Sequence, residues 1–182
     1  VYKTELPFIL EREAVGLVTV VGPGLIGRKV GDLVGYVGNP MGSYTEEKII
    51  PTSFVVPVPS TIDPIVGAAI MLKGMTAQFL LRRCFKVEPG HTILVHAAAG
   101  GVGSLLCQWG NALGATVIGI VSTKEKAAQA IEDGCHHPII YTQEDFVDCV
   151  KEITKGQGKD TFQGSLECLA SRGYMVSFGQ SS

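Results

Sequence analysis

The sequence predicts a doubly wound α/β fold, a parallel sheet with helices packed on it, preceded by a small β-rich unit. Three observations lead to this prediction. After residue 64, apolar strand patterns alternate with amphipathic helix patterns, which is typical of parallel strands joined by right-handed crossovers. A glycine-rich turn joins the first of these strands to its helix. Before residue 64, short β-branched runs are bounded by Gly and Pro, which favours short strands.

The composition is typical of a soluble globular protein. The 182 residues are 46% hydrophobic and 18% charged, with a formal net charge of −2. This balance gives no electrostatic reason to expect nucleic acid or an anionic membrane as a partner. No run of about 18 consecutive apolar residues is present to span a bilayer. The five cysteines are odd in number, lack the spacing of a zinc or redox motif and follow no secretory signal, so we expect free thiols and a cytoplasmic location.

The β-rich unit is assigned to residues 1–63. Strands are predicted over residues 14–21, 32–37 and 43–50, because these runs are apolar and β-branched or alternate in polarity. The first run stops at a Gly-Pro-Gly turn and the second at a Gly-Asn-Pro turn.

The α/β unit is assigned to residues 64–182. Apolar residues at helical spacing predict one or two helices over residues 64–85. Alternating elements follow, and they are a strand at 92–96, a helix at 101–113, a strand at 116–121, a helix at 123–133, a strand at 137–141, helices at 144–154 and 161–169, and a strand at 174–178.

The turn after the strand at 92–96 has the pattern of a dinucleotide-binding loop. Ala97, Gly100 and Gly103 are spaced three residues apart, and a helix follows that Gly114 is expected to end. Gly100 lets the backbone approach a pyrophosphate, and Gly103 lets the helix pack closely on the strand. An ordinary tight turn is the alternative, but strand, helix and next strand all lie where dinucleotide binding requires them.

The residues after the second strand favour NADP(H) over NAD(H). An NAD site needs a carboxylate at the end of this strand to bind the ribose 2′-hydroxyl. Here the strand is followed by Ser122-Thr123-Lys124-Glu125-Lys126, and no carboxylate lies at the strand tip to repel a phosphate. Hydroxyls and an ammonium group suit a 2′-phosphate. Alternatively, Ser122 or Thr123 caps the following helix and the lysines form its solvated face; both roles are compatible.

On these residues the chain resembles the zeta-crystallin-like NADPH:quinone oxidoreductases, which belong to the medium-chain dehydrogenase/reductase superfamily. The matching motifs are LKGMTAQ at 72–78, HAAAGGVG at 96–103 and VSFGQSS at 176–182. EAVG at 13–16 and KVGDLV at 29–34 fit the superfamily's GroES-like β-rich domain. The resemblance implies a Rossmann domain after a partial GroES-like domain, with the cofactor in the cleft between them.

The resemblance also implies site residues. The implied contacts are Thr76 near the nicotinamide; Gly100, Gly101, Val102 and Gly103 at the pyrophosphate; Ser122, Thr123 and Lys126 at the 2′-phosphate; Tyr141 along the adenosine; Phe178, Gly179 and Gln180 at the nicotinamide ribose; and Tyr2 on the substrate side. Packing for Thr76, capping of a strand end for Tyr141 and a core position for Phe178 stay open as alternatives.

Zinc is not expected. Zinc alcohol dehydrogenases of the superfamily carry Gly-His-Glu near the start of the β-rich domain, where this chain has Glu11-Arg12-Glu13. The four histidines lie in the α/β unit, and they form no three-ligand set in the sequence. The implied activity is therefore direct hydride transfer from NADPH to a quinone or enone, and no catalytic acid–base residue is assigned.

The chain departs from the family in extent and at one internal point. The resemblance implies a partial chain, which begins within the β-rich domain and ends before the last strands and the segment through which relatives form homodimers. It also implies that a buried strand of about nine residues is missing after Gly158. A catalytically inactive truncated or splice-variant chain with a cofactor-binding or structural role is therefore the alternative function.

Overall fold

The computed structural model describes residues 6–38, 41–155, 168–169 and 173–178. The chain divides into two compact units, Val1–Met75 and Thr76–Ser182. The strands are β1 (Glu13–Leu17), β2 (Leu33–Val37), β3 (Val55–Pro57), β4 (Thr92–His96), β5 (Thr116–Val121) and β6 (His137–Ile140). The helices are α1 (Pro64–Phe79), α2 (Gly101–Ala112), α3 (Lys124–Glu132) and α4 (Phe146–Ile153), with a 3₁₀ turn at Thr52–Phe54 and a π-helical turn at Leu80–Cys84.

The first unit contains an antiparallel sheet in the order β1-β2-β3. Glu13 lies opposite Val37, and Val34 lies opposite Pro57. A tight turn precedes β2, in which Gly31 has a φ of 89°, a conformation that only glycine adopts at low cost. The predicted β-rich unit is thereby confirmed, and β3 is a strand that the sequence patterns missed.

The predicted strand over residues 43–50 is wrong. These residues form a loop that side chains hold in place of a strand ladder. The Lys48 ammonium donates to the Met41 carbonyl at 2.6 Å and to the Tyr36 hydroxyl at 2.9 Å. The Tyr36 hydroxyl is also 2.6 Å from the Ser43 hydroxyl. Polar groups of the loop are therefore satisfied locally, which removes the need for pairing with a strand.

The second unit contains a parallel sheet in the order β4-β5-β6. Thr92 lies opposite Thr116, and Ile118 opposite His137. The predicted strands at 92–96 and 116–121 match β4 and β5 in both bounds. The predicted helix stop is also confirmed, because Gly114 has a φ of 77° just after α2 and its N–H donates to the Asn111 carbonyl.

Helices cover both faces of this sheet, as the doubly wound prediction requires. Val117 and Val121 of β5 belong to the cluster that includes Leu106 of α2 and Ala130 of α3. Ile118 and Ile120, which point the other way, belong to a second cluster with Val150 of α4. Strand residues alternate between faces, so β5 is buried on both sides. Such burial explains why its sequence is continuously apolar rather than alternating.

Three predictions concern the residues after 155, and their outcomes differ. The predicted strand at 174–178 is wrong, because residues 173–178 are irregular and exposed and pair with neither described sheet. An extended segment without a neighbouring strand lacks the ladder that defines a strand. The predicted helix at 161–169 and the position of the missing strand after Gly158 lie almost wholly outside the described residues; Cys168 and Leu169 are not helical.

One described helical segment, Pro64–Cys84, is long and apolar enough to cross a membrane by length and composition alone, with 21 residues and a mean hydropathy of 1.4. Core helices of soluble proteins meet the same criteria. Lys73, Arg82 and Arg83 interrupt the apolar sequence of this segment.

Candidate functional site

The turn between β4 and α2 is built on close backbone contacts. Ala97 has a φ of 50°, and its carbonyl accepts the Gly100 N–H at 2.7 Å. A Cβ on Gly103 would overlap the Ala97 carbonyl oxygen and would lie 2.8 Å from the Ala98 Cα. At Gly100 a Cβ would lie 3.0 Å from the same oxygen. Glycine at 103 is therefore what allows α2 to begin this close to the strand.

The start of α2 differs from the starts of α3 and α4. Thr123 caps α3 by accepting the Lys126 N–H, and Asp145 caps α4 by accepting the Val147 N–H. Gly100, the cap residue of α2, provides no side-chain cap. The first amides of a helix have no partner within the helix, so those of α2 are left for water or an anionic ligand. The positive end of the helix dipole favours the anion.

The α2 helix lies close to the sheet behind this turn. A Cβ on Gly110 would lie 2.7 Å from the Ile93 Cδ1 and 3.2 Å from the Val117 Cγ2. Gly110 thus allows close contact with both β4 and β5. The position of the α2 amides is consequently fixed by the core of the unit and not by the turn alone.

The end of β5 brings the predicted 2′-phosphate residues together. The Lys126 ammonium donates to the Ser122 hydroxyl at 3.2 Å. The Ser122 carbonyl accepts the Thr142 hydroxyl at 2.9 Å, which ties the loop after β5 to the loop after β6. Thr123 accepts the backbone N–H of Lys126 at 3.3 Å. The capping role of Thr123 that the sequence left open is therefore present in the structure, together with the Ser122–Lys126 pair.

A carboxylate, that of Glu125, lies in the first turn of α3, four residues beyond the end of β5. The Thr123 hydroxyl and the backbone N–H of Glu125 itself hydrogen-bond to the Glu125 carboxylate and hold its pKa below the usual value. The side chain is fully exposed to solvent. Glu125 was visible in the sequence after the strand, but a position near a strand end does not reveal which donors a side chain reaches.

The three strand ends form one continuous edge. The Ala98 N–H donates to the Ile120 carbonyl at 3.1 Å, and the Tyr141 N–H donates to the Val121 carbonyl at 3.1 Å. The glycine turn, the Ser122–Lys126 pair and Tyr141 therefore follow neighbouring parallel strands at their carboxyl ends. In open α/β sheets, ligands bind in the crevice outside these ends.

Tyr141 lies beside a cavity at this edge. The Tyr141 side chain is 54% exposed, and its backbone N–H extends the β5–β6 pairing by one residue. A cavity of about 480 Å³ is lined by Tyr141, Glu144, Asp145, Phe146, Val147, Asp148 and Lys151. The exposed ring of Tyr141 and the adjoining space are compatible with stacking on a base. The backbone hydrogen bond of Tyr141 is also compatible with the alternative in which this residue caps the end of the strand.

The remaining predicted residues are less informative. Thr76 lies in α1 and is half-buried. Phe178 is 45% exposed, so the core position considered for it is wrong. Tyr2, Gly179 and Gln180 lie outside the described residues. The contacts of all five with a cofactor or substrate stay predictions.

Two further groups lie near the turn. His96, the last residue of β4, meets the edge of Phe146 with ring centroids 5.7 Å apart, and burial lowers its pKa. Cys107 of α2 and Cys135 are free thiols buried in the core. The hydrogen bond with Cys135, together with burial, raises the pKa of Cys107. The sequence separation of these two cysteines gave no sign that both belong to one core cluster.

No group of three or more His, Cys, Asp or Glu side chains suited to a metal ion exists among the described residues. Glu11 and Glu13 lie in the region where zinc-dependent relatives carry ligands. Glu13 instead accepts the backbone N–H of Leu72 at 2.7 Å. The described side chains thus offer no three-ligand set of the kind that catalytic zinc requires.

Comparison with known proteins relates the chain to a family of oxidoreductases. A family described as zinc-binding dehydrogenase matches residues 101–182. The chain is 44% identical to 2-haloacrylate reductase of a Burkholderia species, over 98% of this chain and 57% of that protein. It is 43% identical to quinone oxidoreductase 1 of Escherichia coli, over 97% of this chain and 57% of that protein.

Comparison with solved structures relates the chain to the same family. A quinone oxidoreductase of Escherichia coli complexed with NADPH superposes with a TM-score of 0.92 and 42% identity, over 100% of this chain and 58% of that one. The quinone oxidoreductase of Pseudomonas syringae gives a TM-score of 0.90 at 45% identity, over 96% of this chain and 56% of that one. These likenesses confirm the predicted fold class. The chain spans a little over half the length of the relatives it matches.

Proposed function

We propose that this chain, which belongs to the quinone oxidoreductase family by similarity over nearly its whole length, binds NADPH at the β4–α2 turn. We further propose that it is an oxidoreductase that delivers hydride to a quinone or enone without a metal. The observation that carries the proposal is the glycine turn with an uncapped helix start, fixed by the contacts at Gly103. Such a turn is suited to a pyrophosphate.

The residues at the edge of the sheet fit the rest of the cofactor. The first amides of α2 would receive the pyrophosphate, because no side chain caps them, and Gly100 would let the backbone approach it. Ser122 and Lys126 would hold the 2′-phosphate, since they already form a hydroxyl–ammonium pair at 3.2 Å. Tyr141 would stack along the adenosine beside the neighbouring cavity.

The β4–α2 turn and the end of β5 would hold NADPH, which would supply a hydride; that hydride together with one proton would reduce a quinone to the hydroquinone. The chain's contribution is to orient the dinucleotide from the β4–α2 turn and the end of β5. No described side chain is assigned as a proton donor, so water is the proposed source of the proton. Retained turnover after dialysis against EDTA would support the absence of a catalytic metal; lost turnover restored by Zn²⁺ would refute it.

The proposed location and partners follow from the same observations. Free thiols at Cys107 and Cys135 and the small net charge fit a cytoplasmic protein that acts on a small molecule and binds neither membrane nor nucleic acid. Homodimerisation is proposed only for the full-length relative. Sedimentation of the 182-residue chain beside a full-length relative would test whether the longer protein alone dimerises.

The first experiment is a cofactor titration with a matched pair of charge variants. Trp109, the single tryptophan, is half-buried on α2 and packs against the core behind the turn, so its fluorescence should report binding. Lys126→Gln should weaken NADPH binding about tenfold and leave NADH within about twofold, because one phosphate contact is lost. Lys124→Gln removes an equal charge from the same helical turn without removing the Ser122 partner.

The outcomes separate the functions. Equal losses in the two lysine variants would show that overall charge, rather than the Ser122–Lys126 pair, favours NADPH. Binding without turnover of 1,4-benzoquinone would favour the catalytically inactive role. No saturable binding of either dinucleotide by the parent chain would refute the proposed function.

A further inference from the structure

We propose that Ser104 is a further phosphate-binding residue, whose hydroxyl donates to the pyrophosphate that NADPH and NADH share, and that Gln108 sets the direction of this donor. The inference rests on the proposed function and concerns the same site. It adds a side-chain donor to a turn at which the other proposed donors are backbone amides. Ser104 lies one residue beyond the glycine motif, so the motif itself did not identify it.

Ser104 lies in the first turn of α2, directly above the cap residue. Its backbone N–H donates to the Gly100 carbonyl at 2.8 Å, and the helix begins at Gly101. The Cα–Cβ bonds of an α-helix tilt toward its N-terminus, so a side chain covers the turn that precedes its own Cα. Gly100 has no side chain to occupy that turn. The Ser104 hydroxyl therefore lies on the uncapped helix start that would receive the pyrophosphate.

The direction of the hydrogen bond between Gln108 and Ser104 follows from a third residue. The Gln108 Nε2 is 2.8 Å from the Asp133 Oδ1 and 3.1 Å from the Ser104 Oγ. An ionised carboxylate only accepts hydrogen bonds, so the Gln108 atom beside Asp133 is the amide nitrogen. This nitrogen carries two hydrogens, one for each partner. The Ser104 oxygen thus accepts from Gln108, and the Ser104 proton is left for another acceptor.

An anionic oxygen suits the remaining Ser104 proton. In the part of the chain that the structure describes, Gln108 is the single hydrogen-bond partner of the Ser104 side chain. A hydroxyl donates more strongly to a charged phosphate oxygen than to a neutral acceptor. Ser104 is also half-buried, which reduces competition from water. Because both dinucleotides contain the pyrophosphate, Ser104 strengthens the binding of both, whereas the Ser122–Lys126 pair acts on the 2′-phosphate alone.

The first test removes the hydroxyl in the full 182-residue chain. Ser104→Ala retains a residue that favours a helix, so α2 and the urea unfolding midpoint should be preserved. The dissociation constants of NADPH and NADH should both rise about five- to tenfold, with their ratio within about twofold of the parent's. Ser104→Thr keeps a hydroxyl and should recover most of the affinity. Titration of the Trp109 fluorescence gives the constants.

Fragments of the cofactor show which phosphate Ser104 contacts. ADP contains the pyrophosphate without the 2′-phosphate, and adenosine 2′-phosphate contains the reverse. In competition against NADPH, Ser104→Ala should weaken ADP about five- to tenfold and leave adenosine 2′-phosphate within about twofold. Equal weakening of the two fragments would show a general disturbance of the site and would overturn the assignment.

A double-mutant comparison tests the positioning role of Gln108. Gln108→Ala should weaken both dinucleotides about threefold in the parent and cause no further loss in Ser104→Ala, because its effect passes through that hydroxyl. Gln129 donates to the other oxygen of Asp133 at 3.3 Å, so Gln129→Ala is the matched control and should leave both constants unchanged. Additive losses from Gln108→Ala would contradict its positioning role.

Two outcomes separate this inference from its premise. Unchanged affinity of Ser104→Ala for both dinucleotides, in a parent chain that binds them, would overturn the inference and leave the proposed function standing. A parent chain that binds neither dinucleotide would refute the proposed function, and the inference with it.

Discussion

The two units of the chain enclose apolar surface to very different extents. Among the described residues, Tyr36 is the single buried apolar residue of the first unit, whereas the second contains eighteen, from Ala77 to Val150. The first unit leaves large side chains such as Leu17 and Ile26 exposed, at 65% and 91%. The β-rich unit therefore has little core of its own, while the parallel sheet is buried on both faces. Burial of apolar surface is the main source of stability, so the second unit should determine the stability of the chain.

The largest difference between the units should come from glycine substitutions. Replacing a glycine should be severe in the second unit and harmless in the first. Gly103→Val would overlap the Ala97 carbonyl and push α2 from β4, which should abolish NADPH binding and lower the unfolding midpoint in urea. Gly16→Ala in β1 has nothing within 4 Å of the added Cβ and should change neither by a measurable amount. Equal effects of the two variants would contradict the contrast between the units.

Truncation of one side chain in each sheet should lower the free energy of unfolding by different amounts in the two units. Both effects should be smaller than that of the glycine substitution. Ile118→Ala in β5 removes a side chain that is 1% exposed and should cost about 2–5 kcal/mol of the free energy of unfolding. Leu17→Ala in β1 should cost less than about 0.5 kcal/mol, because that side chain is already largely in water. Chemical denaturation measures both. A Leu17 cost comparable to that of Ile118 would mean that the first unit has a core after all.

Acid should give the smallest effect and should act on the parallel unit, since the first unit has no histidine. Burial lowers the pKa of His96 below the ordinary value of 6.5, so the unfolded chain binds this proton more readily than the folded one. The contribution of uncharged His96 to the free energy of unfolding is present above about pH 6.5 and is lost as the pH falls below that value. His96→Gln should flatten the decline in stability between about pH 7 and 5, by a few tenths of a kcal/mol for this partly exposed ring. An unchanged decline would show that His96 does not contribute.

The same contrast explains what the sequence could predict. In the parallel unit, β4 and β5 matched in both bounds because continuous apolar runs are set by burial on two faces, and Gly114 marked the end of α2 by its conformation. In the first unit, residues 43–50 alternate in polarity like a strand, but their loop is held by side-chain hydrogen bonds of Lys48 and Tyr36. A pattern of alternating polarity does not contain these contacts. β3 was missed because three residues ending in proline give too short a signal.

In the candidate site, too, the sequence could predict some features and not others. Gly100, Gly103 and Ser122 could be found because their spacing from a strand reflects backbone geometry. The lowered pKa of Glu125 could not be predicted, since it depends on the side-chain rotamer and the hydrogen bonds that this rotamer makes. The burial of Cys107 and Cys135 in one core cluster also depends on how α2 lies on the sheet, which no spacing rule describes. Backbone-determined features were therefore accessible from the sequence, and features determined by side-chain orientation were not.

The lack of space at Gly103 has a thermodynamic consequence. The turn that would receive a dinucleotide is also the wall against which α2 and the core of the second unit pack, so a ligand held there would bind the folded chain and not the unfolded one. By mass action, a ligand present at about 100 times its dissociation constant adds about 2.7 kcal/mol to the free energy of unfolding. For a chain with one well-packed unit, such an increment is a large part of the total. The lifetime of the folded chain against proteolysis would then depend on the concentration of its cofactor.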